Sequence, residues 1–272
     1  LESAARDIAE GNVNRTLDLD RKDEFGDLAS SLNRMAERFR SDNDEIKKLY
    51  EKQRQFFADI THEIRNPLHT IAGSLEMLQM KGLDPGKRDH YLQTAMRQTE
   101  RINRLFKDLL TLQRYDSDSY FIERKSFDLS GVIQHVVELY REEAERKGLE
   151  LRYDDNPQTV YADPDKIEQV IENLVSNAVK YTGEGKIEIQ VSREDENVVV
   201  AIQDTGIGIS RNHLERLFDR FYRTDKARSR DKGGTGLGLA VVKSILNAHG
   251  TDIHVESEAG TGTNFSFVLP RD

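Results

Sequence analysis

The sequence predicts a multidomain protein, an α-helical coiled coil and a dimeric four-helix bundle followed by an α/β domain. Three observations carry this. An apolar heptad pattern runs through residues 25–60, two helical patterns flank one turn up to residue 115, and short alternating strands then interleave with helices. At 272 residues the chain is long enough for about two cores.

A short helix ends near Gly11 and a polar linker, NVNRTLDLDRKDE, follows it. From Phe25 to Ile60 the positions Phe25, Leu28, Leu32, Met35, Phe39, Asp42, Ile46, Leu49, Gln53, Phe56 and Ile60 alternate in steps of three and four, and nine of the eleven are apolar. A 3.5-residue period held this long is the mark of a coiled coil and implies a dimer. Asp42 and Gln53 interrupt the seam, either as local imperfection or as a weakening that lets the helices shift between packings. The helix is expected to reach Lys81, GLDPGK to turn, and a second helix to run from about Arg88 to Tyr115. Its inward face is Leu92, Ala95, Met96, Thr99, Ile102, Leu105, Phe106, Leu109 and Leu112. One such hairpin leaves an apolar stripe wet, and two hairpins from a dimer close a four-helix bundle.

After DSDSYFIERKS the pattern changes. Asp128 is expected to cap a helix running to about Lys147, with Gly148 as its stop, and Asp163-Pro164 to open another. A third helix is expected over Gly236–His249, and LELRY, KIEIQV, NVVVAIQD, DIHVESE and TNFSFVLP read as strands.

Composition narrows the function. Charged residues make up 33% and the net charge is -9, with 40 basic against 49 acidic residues, which predicts a soluble chain that does not bind nucleic acid. No cysteine is present, which excludes disulfide and thiolate chemistry. No run of about 18 apolar residues occurs, and LESAARDIAEGN begins already in helical register, as expected of a piece of a longer chain.

Within FFADITHEIRNPLHTI, Phe57, Ile60, Ile64, Leu68 and Ile71 share a stripe, and His62 lies about 160° from Ile60 and Ile64. It therefore points outward. On the helix after Asp163, Gln169, Asn173, Asn177 and Lys180 line up opposite the apolar face. Amide oxygens suit Mg²⁺, which draws its remaining ligands from water and phosphate, whereas the plain alternative is a solvent face. Two glycine-rich segments follow, DTGIGIS at 204–210 and GGTGLGLAVV at 233–242. The second leads into a helix, a geometry that attracts phosphate. It is neither a P-loop nor a dinucleotide fingerprint, lacking the lysine of the one and the βαβ setting of the other. Asp204 ends a strand, where a buried carboxylate accepts from an amino group such as adenine's. Between the glycine segments, Arg223, Lys226, Arg228, Arg230 and Lys232 suggest a loop that closes over an anion, against the alternative of a solvated charged loop.

Taken in order, these segments resemble a bacterial two-component sensor histidine kinase. HEIRNP at 62–67 is similar to the phosphoacceptor box, ENLVSNAVKYT at 172–182 to the N box, DTGIGI to the first glycine box, LFDRFYR to the F box, and GTGLGLAVV to the second glycine box. GTGTNFSFVLP resembles the family's closing strand, and the coiled-coil stretch with DEFG at 23–26 resembles the second half of a HAMP relay module. The resemblance implies a partial HAMP module over 1–40, a signalling helix and histidine phosphotransfer hairpin over 41–117, and an α/β sandwich ATP-binding domain of the histidine kinase/gyrase type over 118–272. It implies that His62 is the phosphoacceptor, that Glu63 is its general base, and that Asn66 serves transfer and dephosphorylation. Pro67 is expected to kink the helix below them.

For ATP and Mg²⁺ the resemblance implies Asn177 as the metal ligand, with Asn173, Lys180 and Tyr181 on phosphate or ribose and Asp204 on the adenine amino group. Gly206 and Gly208 give the ring room, and Arg223, Gly234, Gly236, Leu237 and Gly238 hold phosphate. Related gyrase-type ATPases carry a water-activating glutamate where Asn173 stands, so the amide favours transfer over hydrolysis. Two departures are Thr251, in place of a glycine in AHGT, and a HAMP portion lacking the start of its first helix. The implied partners are a second copy and a response regulator receiver domain. The chain is expected to be the cytoplasmic portion of an inner or plasma membrane protein, tethered through a segment upstream of it. The alternatives are a scaffold that binds ATP without turnover and a gyrase-like ATPase module.

Overall fold

The computed structural model describes residues 23–115, 122–224 and 234–272. The short helix and linker expected before residue 23, Lys226, Arg228, Arg230, Lys232 and Gly233 lie outside the described residues. The chain divides into two units, one up to Glu63 and one from Ile64.

Helix α1 spans Glu24–Leu78 and continues through Pro67. The Asp23 carboxylate caps it, accepting from the Gly26 N–H at 3.2 Å. In the first unit Ala29 and Ala36, one heptad apart, are buried, whereas Met35, Phe39, Ile46 and Leu49 of the expected seam are exposed. An apolar stripe of this length left uncovered on one chain is what a partner helix covers.

In the second unit, helix α2 spans Pro85–Tyr115. It begins three residues before the expected start because Asp84 accepts from the Lys87 N–H at 3.1 Å and Pro85 sits in the first turn. Ala95, Leu105 and Leu112 are buried while Leu92, Met96 and Phe106 are exposed, and Leu105 and Leu112 join the core of the α/β domain.

That domain contains β1 (Lys125–Asp128), α3 (Leu129–Arg146), β2 (Leu149–Tyr153), β3 (Thr159–Ala162), α4 (Pro164–Tyr181), β4 (Gly185–Glu194) and β5 (Asn197–Asp204). It continues through α5 (Arg211–Leu214), α6 (Gly238–Ala248), β6 (Ile253–Glu258) and β7 (Gly262–Pro270). Five strands form one sheet in the order β2-β4-β5-β7-β6, with β2 and β4 parallel and the rest antiparallel. The unforeseen strands β1 and β3 form a separate antiparallel pair. Helices α3, α4 and α6 cover one face of the large sheet, α4 lying between the other two. The alternation expected of half-buried strands is present, with Ile187, Ile189 and Val191 of β4 and Val198, Val200 and Ile202 of β5 turned inward.

Both expected caps form. Asp128 accepts from the Ser130 N–H at 3.0 Å, and Asp163 from the Lys166 N–H at 3.3 Å. Helix α6 starts two residues later than expected because Gly236 takes a left-handed φ of 74°. At its other end the Thr251 N–H donates to the Leu246 carbonyl at 3.0 Å, so threonine in place of glycine still closes the helix.

His249 ties this helix end to the start of α4. Its Nδ1 donates to the Ile245 carbonyl at 2.8 Å, so its Nε2 accepts from the Asp163 N–H at 3.1 Å. A proton on Nε2 would set donor against donor, and burial holds the imidazole pKa below its ordinary value. A depressed folded-state pKa means that this contribution is present above about pH 6.5 and lost as pH falls through the folded value. The thermal midpoint is expected to fall between pH 7 and 5, and to fall less in His249→Gln, in pH-scanned melting of the two proteins.

Candidate functional site

The α4 stripe is built by the helix period. Ile167, Val170, Ile171, Leu174 and Val175 bury, leaving Gln169, Asn173, Asn177 and Lys180 on the opposite side, all half-buried and none fully in solvent. Asn173 is held by its own helix, donating from Nδ2 to the Gln169 carbonyl at 2.8 Å. Its Oδ1 then faces the start of α6, 2.7 Å from where a Cβ on Gly238 would stand. Any side chain at Gly238 collides with Asn173, so the glycine lets the head of α6 close on the polar stripe. About two turns on from Asn173, the Lys180 ammonium lies 4.8 Å from the centre of the Tyr181 ring. Burial raises the Tyr181 phenol pKa, and the positive charge of half-buried Arg223 counters it, so Arg223 lies on the Tyr181 side of this site.

Asp204 is buried for a reason of parity. It continues the inward series Val198, Val200, Ile202, and is 7% exposed. Its carboxylate accepts from the Gly206 N–H at 2.8 Å, with the Thr263 backbone and the Thr182 side chain close by. Burial outweighs these groups and raises its pKa. A carboxylate has about four acceptor sites, so the one bond from the Gly206 N–H leaves capacity for a ligand.

Gly206 and Gly208 meet protein first. A Cβ on Gly206 would lie 2.7 Å from both Asp204 Oδ1 and the Tyr181 carbonyl oxygen, and one on Gly208 would lie 1.9 Å from the Glu258 carbonyl oxygen at a φ of 61°. The structure thus supplies a packing reason for both residues besides the room for a ring that the sequence suggested. Gly208→Ala is expected to lower folding stability by at least ~1 kcal/mol from the left-handed backbone alone, seen as a lower midpoint in chemical denaturation.

The Phe221 N–H donates to the Gly236 carbonyl at 2.9 Å, with Phe221 in a left-handed conformation. This bond pins the two sides of the basic segment together. Gly234, Gly236 and Gly238 are half-buried and Leu237 is fully buried. The structure therefore brings Asn173, Tyr181, Arg223, Asp204, Gly206 and the head of α6 into one region of the α/β domain. Thr182 and Thr263, which stand beside Asp204, lie outside the residues that the sequence marks. Thr182 directly follows Tyr181, but Thr263 is found only once β7 is registered against β5.

His62 is exposed on α1, as its angle from the apolar stripe predicts, with Glu63 half-buried beside it. Asn66 is exposed, and Pro67 is buried. Lacking an N–H, Pro67 gives no i+4 donor to the Glu63 carbonyl.

Family models match three consecutive stretches: the HAMP domain over residues 1–41, the His Kinase A (phospho-acceptor) domain over 52–118, and the histidine kinase-, DNA gyrase B- and HSP90-like ATPase over 162–272. The sensor histidine kinase WalK of Bacillus subtilis is 38% identical over 235 residues, 83% of this chain and 38% of WalK. The histidine kinase ThkA, solved in complex with the response regulator protein TrrA, superposes with a TM-score of 0.64 at 28% identity, covering 85% of this chain and 66% of that one. Full-length ShkA in complex with AMPPNP gives a TM-score of 0.60 at 27% identity, over 80% of this chain and 46% of ShkA.

The chain belongs to the two-component sensor histidine kinases. It spans 38% of the length of WalK. Among the described residues no helix is long and apolar enough to cross a membrane.

Proposed function

We propose that this chain is an ATP-dependent protein-histidine kinase, phosphorylating its own His62 and passing the phosphoryl group to an aspartate on a response regulator receiver domain. The observation that carries the reading is at Asn173. In an ATPase-type domain, the side chain at this place is a neutral amide tied to its own helix, with no carboxylate to activate water. The charge of adjacent Glu172 is felt at Asp108 and Tyr140. Phosphate is thereby kept for transfer to the exposed imidazole.

In the transfer, a ring nitrogen of His62 attacks the γ-phosphorus as the bond to the ADP oxygen breaks, and Glu63 takes the proton of the other ring nitrogen. The phosphorylated imidazole then gives its phosphoryl group to the regulator's aspartate and returns to the neutral ring. Asn66, on the same exposed side of the helix as His62, orients water when the phosphorylated regulator is hydrolysed. Asp204 accepts from the adenine amino group, and Lys180, Tyr181, Arg223 and the N–H groups at Gly234, Gly236, Leu237 and Gly238 receive phosphate or ribose.

The residues fit Mg²⁺ as an ion shared with phosphate. Asn177 lies one turn from Asn173 on the stripe that faces Gly238, and no group of three or more acidic, histidine or cysteine side chains among the described residues forms a cage of its own. Asn177 would hold the ion, which neutralises phosphate charge.

Residues 1–40 act as part of a HAMP relay, 41–117 as signalling helix and phosphotransfer hairpin, and 118–272 as the catalytic domain. The exposed apolar stripe of α1 pairs with a second copy, and the protein is held at the cytoplasmic side of an inner or plasma membrane through a segment upstream. The test is incubation with labelled Mg-ATP. Supporting results are a base-stable, acid-labile label on this chain and its transfer to a receiver domain, whereas steady ATP hydrolysis with no label would overturn the reading.

A further inference from the structure

One side-chain bond joins the hairpin to the glycine-rich segment. Asp108 of α2 accepts from the Thr235 hydroxyl at 3.1 Å, and the same hydroxyl oxygen accepts from the Leu237 N–H at 3.2 Å. A hydroxyl has a single proton, so giving it to Asp108 turns the oxygen's lone pairs toward Leu237. Leu237 precedes the first residue of α6, and its N–H belongs to the set that meets phosphate in the reading above. In this arrangement that donor is already used.

The bond sits in a packed seam. Leu105 and Leu112, three and four residues either side of Asp108, are 2% and 1% exposed in the core of the α/β domain, and α2 packs on α6. Burial raises the Asp108 carboxyl pKa to about 6, opposed by the Thr235 bond and by Lys107 and Arg104 on its own helix and reinforced by Glu172 of α4. A carboxyl group in so dry a seam is costly unless partnered, and Thr235 is its partner.

We propose that Asp108 and Thr235 form an autoinhibitory latch: while their bond is closed, α2 stays docked on α6, the Leu237 N–H is withheld from ATP, and a carboxyl group stands two hydrogen bonds from the phosphate site. Tight nucleotide binding then requires the bond to open. The proposal rests on the ATP reading and adds to it a contact that connects the hairpin to nucleotide affinity. Any signal that shifts α2 away from α6 frees the donor and raises affinity for ATP, and bound phosphate disfavours redocking by the reciprocity of linkage.

The test compares the full chain with Asp108→Ala and Asp108→Asn, by calorimetric titration with Mg-AMPPNP and by amide hydrogen exchange at Leu237 without nucleotide. Asp108→Ala is expected to bind about tenfold more tightly, the equivalent of one net hydrogen bond, and to exchange the Leu237 amide faster. Asp108→Asn keeps an acceptor for Thr235 without the charge, and falls between the other two. Equal or weaker binding by both variants, with unchanged exchange at Leu237, would overturn the latch while leaving the ATP reading intact. Absence of AMPPNP binding by all three proteins would overturn both.

Discussion

His62→Gln is expected to reduce the Mg-ATP-dependent, acid-labile label to background. Glutamine keeps a similar length and a good helix propensity at an exposed position of α1, so the helix is retained. What is removed is the only imidazole in HEIRNP, and with it the nitrogen that attacks phosphorus. AMPPNP affinity, which the proposed site assigns to residues of α4, β5 and the head of α6, is expected to stay within twofold of wild type, separating loss of the acceptor from loss of the site. Glu63→Gln is the companion: it leaves the acceptor in place and removes its base, so labelling slows by about 10²–10⁴-fold without a change in the final site. Persistence of full label on His62→Gln would refute the phosphoacceptor assignment, whatever the state of the ATP site.

Asp204→Asn is expected to lose about ten- to a hundredfold in affinity for Mg-AMPPNP, the equivalent of one to two net hydrogen bonds. The substitution is nearly isosteric, yet it replaces half of the acceptor capacity with an NH₂ donor. That donor must face either the Gly206 N–H or the ligand. Stability therefore falls along with affinity, and melting curves record the first effect while titration records the second. Base selectivity separates them. Adenine presents an amino donor where guanine presents a carbonyl acceptor, so the wild-type carboxylate repels a guanine nucleotide, and the preference for AMPPNP over GMPPNP is expected to narrow in Asp204→Asn. A preference unchanged by the substitution would mean that Asp204 holds the protein together without reading the base.

Much of the fold was legible because it rests on local rules. The period-two alternation of NVVVAIQD placed β5 and put Asp204 on its inward face, and the four-residue spacing of Asn173 and Asn177 put them opposite the apolar side of α4. The Asp-Pro signal that opens α4 also stands at Asp84-Pro85, where it starts α2 in the same way inside a stretch whose glycines read as a turn. KSFD and TVYA are too short to show a period, and they become strands only by pairing with each other. Leu105 and Leu112 were placed in the hairpin because periodicity identifies an apolar stripe without saying what it meets.

By itself, the sequence determined which residues can do chemistry and which way each one faces along its own helix or strand: His62 outward on α1, Asn173 and Asn177 on one stripe, Asp204 inward at the end of β5. Those facts follow from the angular period of a helix and the pleat of a strand, which depend on neighbours a few residues away. Only the tertiary structure decided what stands across from them: Gly238 against Asn173, Thr182 and Thr263 around Asp204, His249 beneath Asp163, and Thr235 on Asp108. Contacts between residues so far apart in the chain depend on strand register and helix packing, which are settled by burying the whole core at once.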